Sequence, residues 1–406
     1  MSNPVLDSRR GHVSMVIKTA ALVYDDRLRK EIHSCQTAGF SVSVHALQDD
    51  NVAHRGQTWG GAPYRSYRLL SRRLLGGHRF VVLHVLEFLL RVALKGAVAA
   101  FLRPRANLIV WLHDPVLMPF LPLLSLARRL GLCSRIVWDQ HELPPQGWLR
   151  VGIPRRLLRW ACRLPDALIC ANHSRVGFLS SAGVIPAGKE VCVVQNYADA
   201  EYARQPVAAL PDDLSAWLNG EPYLFVQSGG QALRHAESMF EAILSNRWPE
   251  LKVVMAGGID KSIRRRFQDR SPEMFRERIW LQGMVPQMEL ARFADHSQGC
   301  LVLYREDSPN QIYCEPNRLY QALSRGVPVI VGHNPPMADT LRETKAGLIL
   351  DDDGADSFGI VVAVRQLLRQ SDYREAAMGV ADVFLWESQQ CAINEALGLS
   401  ANHDDR

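Results

Sequence analysis

Two short polar clusters, His113-Asp114-Pro115 and Asp139-Gln140-His141-Glu142, each follow an apolar run directly, Leu108 to Leu112 in one case and Ile136 to Trp138 in the other. An imidazole beside a carboxylate can move a proton or hydrogen-bond a polar substrate. Both runs read as buried strands, and in a doubly wound parallel sheet the strands end on one edge, where such folds bind ligands. His113, Asp114, Asp139, His141 and Glu142 are therefore expected around one crevice. Their spacing fits no standard metal signature, and no Gly-x-Ser-x-Gly elbow follows a strand, so neither a metal centre nor a serine hydrolase is expected.

A second group lies in the stretch from Tyr313 to Val331. Pro316 suits a first helical position. Leu319, Tyr320, Ala322 and Leu323 give an apolar face at helical spacing, Gly326 suits a left-handed helix end, and Val329 to Val331 reads as a buried strand. The amides of Asn317, Arg318 and Leu319 would then open a helix unpaired, able with the helix dipole and the Arg318 guanidinium to hold a diphosphate. Further upstream, Tyr223 to Gln227 reads as a strand leading into Gly229 and Gly230, glycines that let a phosphate approach the backbone, and then to the basic Arg234.

The elements that must carry these groups follow from patterning. His12 to Ile17 is expected as the first strand, Arg27 to Thr37 as a helix started by Asp25 and Asp26, and Ser41 to Leu47 as the next strand. Arg155 to Leu164 reads as a basic helix. Residues 197 to 221, with Pro206 and Pro211, read as a linker, and Tyr373 to about Leu397 as a last long helix.

The chain has 406 residues, 47% hydrophobic and 22% charged, an ordinary globular composition with material for two domains. None of its eight cysteines forms a CxxC pair, which favours reduced thiols and a cytoplasmic protein. The polar opening is a poor secretory signal, and no stretch has the length and purity of a membrane span. Residues 1–205 hold 27 Lys+Arg against 14 Asp+Glu, whereas the remainder holds 20 against 28. No zinc-finger spacing or RNA-binding signature accompanies this basic half, so nucleic acid is not expected as a partner. Between Arg65 and Arg105, arginines bracket the apolar residues Phe80 to Leu90, interrupted by Glu87 and Arg91. Two ordinary helices with arginines to water are the plainer expectation, and contact with an anionic membrane surface through residues 65–105 the sharper one.

The run Pro316-Asn317-Arg318-Leu319-Tyr320 leading into Ala322-Leu323 and Gly326-Val327-Pro328-Val329-Ile330 resembles the donor-site segment of the GT-B glycosyltransferases, in particular the large retaining nucleotide-sugar family that builds bacterial surface polysaccharides. The His-acidic-Pro and Asp-x-His-Glu strand ends, the Asp26-Arg27…Glu31 helix entry and the ending Val193 to Asp199 are similar to that family's first domain. The resemblance implies an α/β GT-B protein, two Rossmann-like domains facing across a cleft. Its expected parts are an acceptor-side domain at 1–205, a linker at 206–221, a donor domain at 222–372, and a C-terminal helix and tail at 373–406 crossing back. It implies transfer of a sugar from a nucleoside diphosphate sugar to a glycan or lipid-linked acceptor, with no cofactor and no metal. Gly229, Gly230, Arg234, Gly283, Met284, Glu315, Asn317, Arg318, Leu319 and Gln321 would bind the donor, the base meeting the backbone at Gly283 and Met284. His113 would meet the donor sugar, with Asp114, Asp139 and His141 around it. Retention is implied by the resemblance alone; if the enzyme inverts, Asp114 or Asp139 is the expected base. Tyr313 and Gln321 stand where the family keeps two glutamates, with Glu315 two residues from the first. A nucleotide-sugar epimerase of the same fold and a catalytically silent subunit therefore stay open.

Overall fold

The computed structural model describes residues 10–76, 80–102 and 107–399, the side chains of 97–102 excepted. Arg79, Arg103 and Arg105 of the basic stretch, and the polar opening over residues 1–9, lie outside the described residues. The chain divides into two compact units, residues 1–195 with 389–406, and residues 196–388.

The first unit is built on an eight-stranded sheet. Its strands are β1 (His12–Thr19), β2 (Ser41–Gln48), β3 (Arg55–Gln57), β4 (Pro63–Ser66), β5 (Leu108–His113), β6 (Arg135–Gln140), β7 (Ala167–Cys170) and β8 (Val191–Val193). Their order is β3-β4-β2-β1-β5-β6-β7-β8, with only the β3–β4 pair antiparallel. The central strands are apolar on both sides, as at Val13, Met15, Val16 and Ile17, because helices cover both faces of a parallel sheet. Those helices are α1 (Asp26–Thr37), α2 (Leu70–Leu75), α3 (Val81–Leu102), α4 (Leu121–Arg129), α5 (Gln146–Leu149), α6 (Ile153–Ala161) and α7 (His173–Ser181). The connection through α1 steps one way across the sheet, whereas those through α3, α4, α6 and α7 step the other way. Right-handed crossovers then place α1 on one face and the other four on the opposite face.

Local chemistry sets the boundaries. The Asp25 carboxylate accepts from the Leu28 amide at 3.1 Å and starts α1. Glu87, which interrupts the apolar run of α3, accepts from the amides of Leu70 and Ser71 at 2.9 and 2.7 Å and so caps α2. In α3, Val85, Phe88, Leu89 and Val92 are buried, the arrangement expected of an ordinary surface helix.

The second unit carries a six-stranded, wholly parallel sheet of β9 (Tyr223–Gln227), β10 (Lys252–Ala256), β11 (Ile279–Gly283), β12 (Gly299–Val302), β13 (Val329–Val331) and β14 (Gly347–Ile349), in the order β11-β10-β9-β12-β13-β14. The segment before β13 behaves as its pattern requires. A helix runs over Asn317–Ser324, Gly326 adopts φ +67°, and the chain turns directly into the strand. Pro316 sits one position earlier than expected: its φ and ψ are −83° and 150°, so it precedes the helix rather than beginning it.

Two boundaries differ from the sequence reading. The presumed linker contains the helices Ala200–Ala203 and Asp212–Leu218, and Tyr202, Leu214 and Leu218 belong to the second unit's hydrophobic core. Apolar residues at helical spacing outweigh the prolines there. The expected last long helix is divided into Asp372–Gly379, a 3-10 turn at Trp386–Gln389 and a helix at Gln390–Ala396. Only residues from Gln389 onward join the first unit, where Arg135 Nε donates to the Ala396 carbonyl at 2.7 Å.

Candidate active site

In the first unit, β5 and β6 are adjacent and in register so that His113 pairs with Asp139. The strand ends are tied by the Asp114 amide donating to the Asp139 carbonyl at 2.9 Å, and Trp138 Nε1 donates to the Asp114 carbonyl at 3.1 Å. Asp114 adopts φ 70° and ψ 145°, an uncommon conformation for a residue with a side chain and one that concentrates at functional positions. His113, Asp114, Asp139 and His141 are thus brought together as expected. His141 Nε2 lies 3.2 Å from Asp114 Oδ1, and the His113 and His141 rings meet edge to face at 6.2 Å. Glu142 is exposed.

Two residues first read as helix-start charges complete the cluster from below. Arg27 donates to Asp139 through Nε to Oδ2 at 3.0 Å and Nη2 to Oδ1 at 3.2 Å, and through Nη1 to the Val194 carbonyl at 2.9 Å. Glu31, one turn on, has Oε1 2.9 Å from Arg27 Nε and Oε2 3.4 Å from His113 Nδ1. Their i, i+4 spacing on one face of α1 was the available signal; that this face turns to Asp139 is tertiary information.

The environment separates the two aspartates. Burial alone would raise the Asp139 pKa, but the Arg27 charge overcomes it and holds Asp139 down to about 2. Burial raises Asp114 to about 6, opposed by His141. Of the two candidate bases, Asp114 has the proton affinity a general base needs near neutral pH, and Asp139 is a permanent carboxylate committed to Arg27. Burial lowers His113 to about 3, so its imidazole is neutral, and neither ring nitrogen has a hydrogen-bond partner among the described residues. Burial also disfavours charge on His141, yet Asp114 and Asp139 raise its pKa on balance. Glu31 is raised well above the usual carboxylate range, first by burial and then by Asp139.

One donor atom each from His113, Asp139 and His141 lies within 4.8 Å of the others, a spacing compatible with a metal ion. Both oxygens of Asp139 already accept from Arg27, so a cation there would have to share the carboxylate with the guanidinium charge.

In the second unit, the C-terminal ends of β9 and β12 and the start of the helix Asn317–Ser324 converge. Arg318 is buried: Nη1 donates to the Gln227 carbonyl at 2.6 Å, the guanidinium lies 4.6 Å from the Tyr304 ring centroid, and Nε and Nη2 have no hydrogen-bond partner. Arg234 donates to the Ser228 carbonyl at 2.6 Å and lies 5.4 Å from the same ring. Tyr304, two residues past β12, is the platform both cations share. Burial, with Arg234 adding to it, lowers the Arg318 pKa to about 10. Neither arginine forms an ion pair with a carboxylate among the described residues. Two cations around one ring without an anionic partner are an arrangement that can hold an anionic ligand.

The helix start is less open than the sequence suggested. The Leu319 amide donates to the Pro316 carbonyl at 3.1 Å, because Pro316 stands outside the helix and turns its carbonyl back. The amides of Asn317 and Arg318 have no backbone partner among the described residues. Glu315 is not presented as a free carboxylate: it is buried, and its Oε1 accepts from the Tyr320 hydroxyl. Gln321 is buried too, its Oε1 is unpartnered, and with Arg318, Gln227, Phe225 and Tyr202 it lines a cavity of about 10 Å³, room for one water. Gly229 and Gly230 are needed first by the chain's own packing. A Cβ at Gly229 would lie 2.3 Å from Val226 Cγ1, and one at Gly230 2.5 Å from Ile259 Cγ1. Gly283 has φ +75° with open space around it, and Met284 after it is exposed.

No family model and no curated protein matches the sequence. Solved structures match over almost the whole chain. A trehalose-6-phosphate structure from E. coli bound with UDP-2-fluoro glucose is 15% identical, with 95% of this chain and 99% of that one covered and a TM-score of 0.67. Sucrose-phosphate synthase from Thermosynechococcus elongatus is 16% identical over 95% and 98%, TM-score 0.68. HepE from Anabaena, in complex with UDP and glucose, is 11% identical over 96% and 100%, TM-score 0.66. The chain therefore has the GT-B fold of these glycosyltransferases, α/β with two Rossmann-like sheets.

Proposed function

We propose that the chain is a glycosyltransferase, moving a sugar from a nucleoside diphosphate sugar to a glycan or lipid-linked acceptor, with a place in surface polysaccharide synthesis on the inner face of the cell membrane. The observation that carries this reading is Arg318, buried with two donor nitrogens unpartnered beside Arg234. These cations and the amides of Asn317 and Arg318 suit a diphosphate, whose developing charge is the chief demand on catalysis when a nucleoside diphosphate leaves. Structures of the same fold bound with UDP-2-fluoro glucose, and with UDP and glucose, make a uridine diphosphate sugar the first donor to test.

Neutral His113 would hydrogen-bond the sugar. Retention of configuration is supported by the likeness to trehalose-6-phosphate synthase, solved in work on glycosyl transfer with retention. Were the reaction inverting, Asp114 rather than Asp139 would be the base. The arginines can neutralise the leaving group without a metal. Membrane contact through residues 65–105 is part of the proposal, supported by Leu74, Leu86, Leu90 and Leu94, exposed alongside Arg68, Arg73 and Arg91. Among the described residues no helix is long and apolar enough to cross a membrane.

A second reading, a catalytically silent subunit, is favoured by Tyr313 and Gln321 at the two glutamate positions and by the engagement of Glu315 with Tyr320. The deciding experiment is thermal shift with UDP-, GDP-, ADP- and TDP-sugars, followed by assay of the binding donor for transfer or hydrolysis. Binding that is lost in Arg318→Ala, together with turnover, supports the transferase. Binding without turnover supports the silent subunit, epimerised donor supports an epimerase, and no binding by any donor overturns the phosphate site.

A further inference from the structure

The outward face of α6 is apolar and basic in a way the donor chemistry does not use. Leu158 and Ala161 are its buried contacts, whereas Ile153, Leu157 and Trp160, spaced i, i+4 and i+7 on the other side, are 72, 51 and 46% exposed. Val151, just before the helix, is 84% exposed. Arg156, Arg159 and Arg163 form a parallel stripe along one flank, Arg150 lies at the N-terminal end, and all four are exposed. None of these four is ion-paired among the described residues, and no acidic residue occurs from Leu143 to Pro165.

The same layer continues on α4, the neighbouring crossover helix on this face of the sheet. There Leu123, Leu126 and Leu130, spaced i, i+3 and i+7, are exposed beside Arg129. On α4 only Arg129 is unpaired among the described residues, because Arg128 pairs with Asp166 at 2.6 Å. An isolated exposed leucine needs no explanation, but two helices of one layer carrying apolar outward stripes, one of them rimmed by unpaired arginines, do.

We propose that α4 and α6 form a docking face for an anionic lipid bilayer, separate from residues 65–105. The apolar stripe would enter the acyl boundary while Trp160 and the arginines sit at headgroup level, the arrangement of an interfacial helix. Charge decides the occupant. A second copy of the chain would bring two sets of unpaired arginines together, whereas acidic headgroups neutralise them. Nucleic acid would answer the arginines but leave Ile153, Leu157 and Trp160 in water. This inference does not depend on the transferase reading, because lipid binding and nucleotide binding are measured separately.

The test is flotation of the full-length protein with phosphatidylcholine vesicles, with and without phosphatidylglycerol. Wild-type protein is expected to float with the anionic vesicles and to be released by salt. The triple variant Arg156→Gln, Arg159→Gln, Arg163→Gln should lose about fivefold in partitioning for each arginine, and Leu157→Asp with Trp160→Asp should cut flotation to what residues 65–105 support alone, while both keep nucleotide binding. As a check independent of folding, brominated lipid should quench the wild type more than Trp160→Phe, which keeps the stripe. The proposal fails if wild-type protein ignores anionic vesicles, if the α6 variants float as well as wild type, or if sedimentation shows a dimer that the aspartate variant dissociates. Flotation lost only when Leu90 and Leu94 of α3 are replaced would also overturn it.

Discussion

Arg27 and Asp139, 112 positions apart, are joined by two hydrogen bonds, Nε to Oδ2 at 3.0 Å and Nη2 to Oδ1 at 3.2 Å, with both side chains buried. The pair pins α1 to the end of β6 and fixes the floor on which His113 and His141 stand. Removing one partner of a buried ion pair strands the other charge. Arg27→Ala should therefore cost about 3–5 kcal/mol of stability, read as a lower urea midpoint at neutral pH. Because Asp139 is held below its ordinary value of 3.8, at about 2, its contribution is present above pH 3.8 and is lost as pH falls through 2. The variant should thus show a weaker loss of stability in that acid window than the wild type.

Arg318 presents the opposite balance. Its guanidinium is buried without a carboxylate, a cost to the free protein that the Gln227 carbonyl and the Tyr304 ring offset in part and an arriving anion would offset further. Arg318→Met should be neutral or stabilising without ligand, yet lose the gain that a nucleoside diphosphate gives, about 2.7 kcal/mol at 100 times the dissociation constant for the wild type. Differential scanning calorimetry with and without UDP measures both terms. A variant destabilised in both conditions would mean that Arg318 is a packing residue.

Gly230 tests whether the loop after β9 is set by packing. An added Cβ would lie 2.5 Å from Ile259 Cγ1 and 2.8 Å from Ile259 Cα, and the backbone cannot rotate away as a side chain can. Gly230→Ala should cost about 1–3 kcal/mol in urea unfolding, with a weakened nucleotide affinity because Arg234 follows on the same loop. Gly283→Ala meets no neighbouring atom and should act only through its positive φ, a smaller loss.

How much of this was legible in the sequence depended on the range of the interaction. β5, β6 and β13 were readable because buried parallel strands are continuous apolar runs, and the meeting of His113, Asp114, Asp139 and His141 followed from strand ends sharing an edge. Arg27 and Glu31 could be read only as charges at a helix start, since nothing local says that their face of α1 meets a strand more than a hundred residues on. Glu315 looked like a spare carboxylate because its partner, Tyr320, is named by helix geometry rather than by composition. The stretch around Tyr202, Leu214 and Leu218 was masked by its prolines, although its leucines already had helical spacing. The last helix looked continuous because its apolar spacing carries on past Gly379, the glycine at which the first helix in fact ends.

Asp114 titrates within reach of working pH. Burial raises it from the ordinary 3.8 to about 6, with His141 3.2 Å away opposing the shift. A raised carboxyl pKa means that the folded chain binds the proton more tightly than the unfolded one. The associated stability is full below pH 3.8 and is lost as pH rises through about 6. Asp114→Asn removes this group, so its stability should be flatter across that window, by about 1–3 kcal/mol, in unfolding curves taken at successive pH values. If Asp114 also acts on substrate, the wild-type rate should rise through about pH 6 and the asparagine variant should lose that limb with a drop of about 10²–10⁴ in kcat. A flattened stability profile with an unchanged rate profile would assign Asp114 to holding His141 in place and leave His113 as the residue that meets the sugar.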